Sequence, residues 1–95
     1  MRLVWTTRAR ADLVEIYAYI VPDNPSAARR MQAVVRARVA GLAEMASMGR
    51  AGRVETTREL VITGTPYVVV YRVATAEVQV LRVLHGARSW PQSPA

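Results

Sequence analysis

The chain has no cysteine, no lysine and no phenylalanine, and a single histidine. Without thiols no disulfide staples the fold, which suits a reducing compartment, and the cytoplasm is the expected location. One imidazole with no thiolate beside it makes a poor metal centre, so neither metal nor cofactor is expected. Long apolar runs are missing as well. The opening residues MRLVWTTRAR lack the apolar core, roughly 7–15 residues long, of a secretory signal. Nothing approaches the roughly 20 apolar residues that cross a bilayer, so no membrane partner is expected. There is no internal repeat and no low-complexity block.

Acidic residues are also scarce: 7 against 13 basic ones, for a net charge of +6. Every basic residue is arginine, whose planar fork pairs with phosphate or carboxylate in a bidentate way. A GC-rich coding sequence would favour arginine over lysine too, so the positive sign is the firmer observation. It points to an anionic partner: nucleic acid, a nucleoprotein machine or an acidic peptide. What is present is a chain of 95 residues, 52% of them hydrophobic, which is enough for one folded domain over residues 1–95. A domain this small buries only roughly 60–65% of its unfolded surface, so a partner covering apolar area adds stability by mass action.

Leu3 to Thr6 reads as a short strand. Thr6 or Thr7 caps a helix, in which Leu13, Ile16, Tyr17 and Ile20 form an apolar stripe with Asp12 and Glu15 outside it. Val21-Pro22 stops that helix. Asn24 as cap and Pro25 in the first turn start a second, expected to run to about Ala46. Its stripe is Ala28, Met31, Val35, Val39, Leu42 and Met45, with Arg29, Arg30, Arg36 and Arg38 off the stripe or at its margin. Ser47 to Thr57 is a glycine- and arginine-bearing loop. The period then changes to two, giving strands over Arg58–Ile62, Tyr67–Val73 and Val78–His85. Turns at Gly64-Thr65-Pro66 and Ala74–Ala76 make neighbouring strands antiparallel. The tail from Ser89 to Ala95 is expected to be irregular. The fold class is therefore α+β, with order βααβββ. A helical hairpin packs on one face of a mainly antiparallel, twisted sheet and leaves an arginine-bearing face open.

Several segments resemble a known family in order and spacing. They are Ala9 to Ile20 (ARADLVEIYAYI), Asn24 to Ala28 (NPSAA), Gly49-Arg50-Ala51-Gly52-Arg53 and Thr57-Arg58-Glu59-Leu60. Gly64-Thr65-Pro66-Tyr67, Val70-Tyr71-Arg72-Val73 and Leu81 to Arg88 (LRVLHGAR) complete the series. Together they are similar to the RelE/ParE superfamily of toxins from bacterial type II toxin–antitoxin systems. The resemblance implies a growth inhibitor held in check by a cognate antitoxin, in a toxin–antitoxin hetero-oligomer. A basic face and an exposed sheet edge suit an acidic amphipathic helix or an added strand. The Gly-Thr-Pro-Tyr segment and the long second helix are closer to the ParE branch, which implies a poison of DNA gyrase, with plasmid stabilisation as a typical setting. The RelE branch implies an endoribonuclease acting on mRNA in the ribosome. A third alternative is an antitoxin-binding module without toxicity.

Each reading assigns different work to the same residues. Cleaving RNA requires removing a proton from the 2′-hydroxyl, returning one to the leaving oxygen and stabilising charge on the phosphate. His85 is the side chain suited to the proton transfers, with Arg72, Arg58 and Arg88 holding the phosphate. The structural alternative for His85 is a strand-end residue bonded to a carbonyl or a carboxylate. If the strand is regular, His85 shares a face with Leu81 and Val83, while Arg72 lies on that of Val68 and Val70. Arginines inside apolar strands need partners, and Glu59 or Glu55 is available to Arg58 and Arg72 as a structural one. Arg50, Arg53 and Arg82 are candidates for contacting the target or its phosphates, with a solvated loop as the alternative for Arg50 and Arg53. Ser26, Ser47, Ser89 and Ser93 show no nucleophile-elbow spacing, and Gly49 to Gly52 lacks the Lys-Ser/Thr of a phosphate loop. Met31, Met45 and Met48 read as core filler. Trp90 either stacks on a base or a partner, or caps the sheet.

Overall fold

A computed structural model describes residues 1–87; the expectations for Arg88, for Trp90 and for the tail lie outside them. The order is β1 (Arg2–Trp5), α1 (Thr7–Ile20), α2 (Pro25–Ala40), β2 (Arg50–Ala51), β3 (Arg58–Val61), β4 (Tyr67–Ala74) and β5 (Glu77–His85). Both helices begin where the caps predict. The Thr6 hydroxyl accepts from the N–H of Ala9, and Asn24 Oδ1 accepts from that of Ala27, each satisfying a donor of the first turn. Helix α2 ends at Ala40 instead of near Ala46: a short 3-10 turn over Gly41–Ala43 follows. Leu42 stays buried through that turn while Met45 falls out of the stripe and is exposed.

The five strands form one sheet in the order β1-β5-β4-β3-β2. The three long C-terminal strands are antiparallel neighbours, and the fifth strand is the two-residue pairing of Arg50 and Ala51 with Glu59 and Arg58. The N-terminal strand crosses to lie parallel beside β5, from Arg2 opposite Glu77 to Trp5 opposite Val80. Gly64, at φ +85°, closes the β3–β4 turn in a backbone region that suits glycine.

The hairpin packs on one face of this sheet, as expected. Leu13, Val35, Val39 and Leu42 meet Leu60, Val69, Tyr71, Val78, Val80 and Val83 in one core. The opposite face carries arginines, as expected, and buried apolar residues beside them. Strand alternation puts Val68, Val70 and Leu84 there, and all three are buried; the same register puts Arg2, Arg50 and Arg72 there, all exposed. Four further arginines lie on α2.

Asp12 is the main departure within α1. Expected off the buried stripe, it is only 4% exposed. Because β1 ends at Trp5, among the described residues no strand lies beside the β5 edge beyond Val80. The Asp12 carboxylate serves that edge, accepting from the Val83 N–H at 3.0 Å and from Arg82 at 2.7 and 3.1 Å. Strand β5 also has one residue more than β4 between Val80 and Arg82, a bulge at Leu81. The alternation expected of a regular strand is broken there.

Candidate functional site

The ion pairs decide which arginines are engaged. Arg82 lies in the bidentate pair with buried Asp12, which Arg8 also approaches at 3.5 Å. Arg50 and Arg53 clasp Glu59, whose side chain is 1% exposed, at 3.2 and 3.0 Å, and the Arg53 N–H adds a bond at 2.9 Å. Burial alone would raise the Glu59 pKa. The Arg53 N–H and the two guanidinium groups outweigh that and hold its carboxyl below the ordinary glutamate range. Glu59 is thus the partner of Arg50 and Arg53, not of Arg58 or Arg72. Arg58 donates instead to the Gly49 carbonyl at 2.7 Å. Arg72 donates twice to Gln79, its cross-strand neighbour, at 2.9 and 3.1 Å.

His85 lies apart from Arg72 and Arg58, but Asp12, the partner of Arg82, lines the same cleft. It stands opposite Tyr67 at the far end of the β4–β5 ladder, its ring meeting that of Tyr67 edge-on at 6.0 Å. Its Nδ1 accepts from the Ala87 N–H at 3.2 Å. It shares a face with Val83, as expected, in a cleft of about 310 Å³ with Glu15, Ile16 and Tyr19 of α1 and with Tyr67. Burial, together with the nearby Tyr19 phenol, raises the Tyr67 pKa. Arg72 pairs with Gln79 five residues along β4 from Tyr67 and alternates with Tyr71 onto the opposite face. That separation is about 17 Å at the strand rise. Among the described residues, His85 is therefore not gathered into one pocket with Arg72 or Arg58.

Two other surfaces are open. A groove of about 390 Å³ runs between α2 and the β3–β4 turn, lined by Ile20, Met31, Val34, Pro66 and Tyr67, with Arg30 at its side. Tyr67 belongs to this groove and to the His85 cleft, so the two adjoin along the seam of hairpin and sheet. Such a lining suits apolar side chains of a protein segment. The second surface is the outward side of α2. That helix carries Arg29, Arg30, Arg36 and Arg38 and no acidic residue.

The model of the ParE toxin of type II toxin–antitoxin systems, parDE, matches residues 3–90. The chain belongs to the ParE toxin family. The toxin is 45% identical to the Sinorhizobium fredii protein Y4kP over 96% of its own length and 94% of the relative's. It is 42% identical to Toxin RelE2 of Caulobacter vibrioides, covering 92% and 97% of the two chains. Among solved structures it is similar to a chain of the chromosomal ParDE system from P. aeruginosa. The TM-score is 0.82 and the identity 31%, over 90% of this chain and 95% of that one. The protein is therefore the toxin of a type II toxin–antitoxin system, with an antitoxin as partner.

Sequence reasoning missed two residues that organise this toxin. One is Asp12, whose position beside a helical stripe gives no hint of a partner 70 residues away. The other is Tyr71. It is fully buried, and its hydroxyl donates to the Ala46 carbonyl at 2.7 Å and accepts from the Gly49 N–H at 2.8 Å. It thereby fixes the loop that presents Arg50 and Arg53. A tyrosine amid valines, where a phenol needs polar partners, was the available signal.

Proposed function

We propose that the toxin arrests growth by binding DNA gyrase, as a ParE-type poison, with no catalytic group of its own. The observation that carries this reading is the separation, among the described residues, of His85 from Arg72 and Arg58. A protein-binding poison does not require them to converge, whereas phosphate-stabilised RNA cleavage does. The chromosomal ParDE neighbour supports the same branch. The apolar groove beside Tyr67 is the surface best suited to an amphipathic segment of the antitoxin.

One observation favours mRNA cleavage in the ribosome. His85 shares its cleft with Tyr19, Tyr67 and Glu15, all able to take part in proton transfer, and a relative bears the name RelE2. A supercoiling assay separates the two. Purified toxin should inhibit gyrase and trap cleaved DNA, and purified antitoxin should reverse both effects. Unchanged supercoiling at saturating toxin, together with cut transcripts on translating ribosomes, would replace this reading with the nuclease.

A further inference from the structure

Helix α2 carries a concentration of positive charge outside the ion pairs found among the described residues. Asp12, Glu59 and Glu77 are taken by Arg8 and Arg82, by Arg50 and Arg53, and by Arg2. Among the described residues, none of these ion pairs reaches Arg29, Arg30, Arg36 or Arg38. Arg29, Arg30 and Arg36 are exposed. Arg30 donates to Ser26 on its own helix, and Arg36 lies 5.7 Å over the Trp5 ring.

The helix buries Ala28, Met31, Val35 and Val39. At 3.6 residues per turn its outermost strip is then Ala33, Ala37 and Ala40, with Arg29 and Arg36 along one flank and Arg30 on the other. Arg29 and Arg36 are about 10 Å apart along the axis. The exposed alanines keep the strip low, so a broad polyanion can approach while the guanidinium groups reach out to it. A second copy of the chain would meet like charge here. A protein partner would find no aromatic anchor and only Val34 as a large apolar side chain. Phosphate recognition needs neither, because guanidinium groups release counterions from the backbone.

We infer that the outward face of α2 is a contact for the phosphate backbone of double-stranded DNA, made by Arg29, Arg30 and Arg36. The inference rests on the gyrase reading only for the choice of DNA, the duplex on which that enzyme acts. During poisoning, the face would hold the toxin against the bound duplex.

The test is fluorescence anisotropy of the free toxin with a random duplex of about 20 base pairs, long enough to span several phosphates. Three contacts give an affinity that falls about 40-fold between 50 and 200 mM salt. The Arg29→Ala/Arg36→Ala double variant should bind more weakly and fall only about fourfold over that range. Alanine is the better helix former, so the variant should keep its helix, checked by circular dichroism. Arg2→Ala, which removes an exposed arginine on β1, should leave the slope nearly unchanged. The inference is overturned by a double variant that matches the wild type, or by loss of binding in Arg2→Ala alone. It is also overturned if matched RNA, or a poly-glutamate peptide of equal charge, binds more tightly than DNA through these same arginines. No gyrase is present in this assay, so failure of the DNA contact and failure of the gyrase reading remain distinguishable. Loss of DNA binding with inhibition of supercoiling intact would show that the contact is dispensable for poisoning and overturn its proposed role there.

Discussion

Replacing Asp12 with alanine should destabilise the toxin more than any exposed substitution. The carboxylate is 5% exposed and its partner Arg82 9%. Its removal takes the bidentate carboxylate from a buried guanidinium and leaves the Val83 N–H, bonded at 3.0 Å, without that acceptor. Breaking a buried pair from one side costs about 3–5 kcal/mol. A domain of this length is stable by roughly 5–14 kcal/mol, so the loss takes a large share of the total. It corresponds to a fall in Tm of roughly 12–40 °C. Thermal and urea unfolding followed by circular dichroism would measure both quantities. The double variant Asp12→Leu/Arg82→Met should recover much of the loss, because apolar groups of similar volume remove both desolvation penalties. A single variant costing less than about 1 kcal/mol would place it in the range of an exposed pair. That result would refute the view that this pair ties α1 to β5.

Three further outcomes are expected. Tyr71→Phe should cost about 1–3 kcal/mol, since it leaves the Gly49 N–H and the Ala46 carbonyl unpaired; equal urea midpoints would contradict this. The depressed Glu59 pKa implies stability that is fully present above the ordinary glutamate range and lost as pH falls through the folded value. Glu59→Gln should therefore show a shallower acid limb in midpoint-against-pH curves, and an unchanged limb would remove Glu59 as its source. His85→Ala should keep full toxicity and antitoxin binding, whereas loss of a catalytic acid or base would lower activity on the order of 10²–10⁴-fold.

Local signals in the sequence carried most of the fold. Asn24-Pro25, Val21-Pro22 and the Gly64 turn are decided by nearby atoms, so the helix starts and the antiparallel strands followed from them. The parallel pairing of β1 with β5 did not, because strand partners across the whole chain leave no local trace. The end of α2 was also misplaced: Leu42 keeps the helical period, yet it is buried from a 3-10 turn. The candidate site was less legible than the fold. Glu59 could be named as a partner for arginine, but its choice of Arg50 and Arg53 depends on the short β2–β3 pairing that returns the loop to it. Arg82 looked like a free phosphate contact until the fold supplied Asp12. The arginines of α2 were visible off the apolar stripe, although their lack of carboxylate partners among the described residues was not.

Inducing the toxin in growing cells without antitoxin tests most directly whether it kills through DNA. A gyrase poison should bring on the DNA-damage response and filamentation, in cells expressing His85→Ala as in wild type. Immediate arrest of translation with cut transcripts, abolished by His85→Ala, would contradict it.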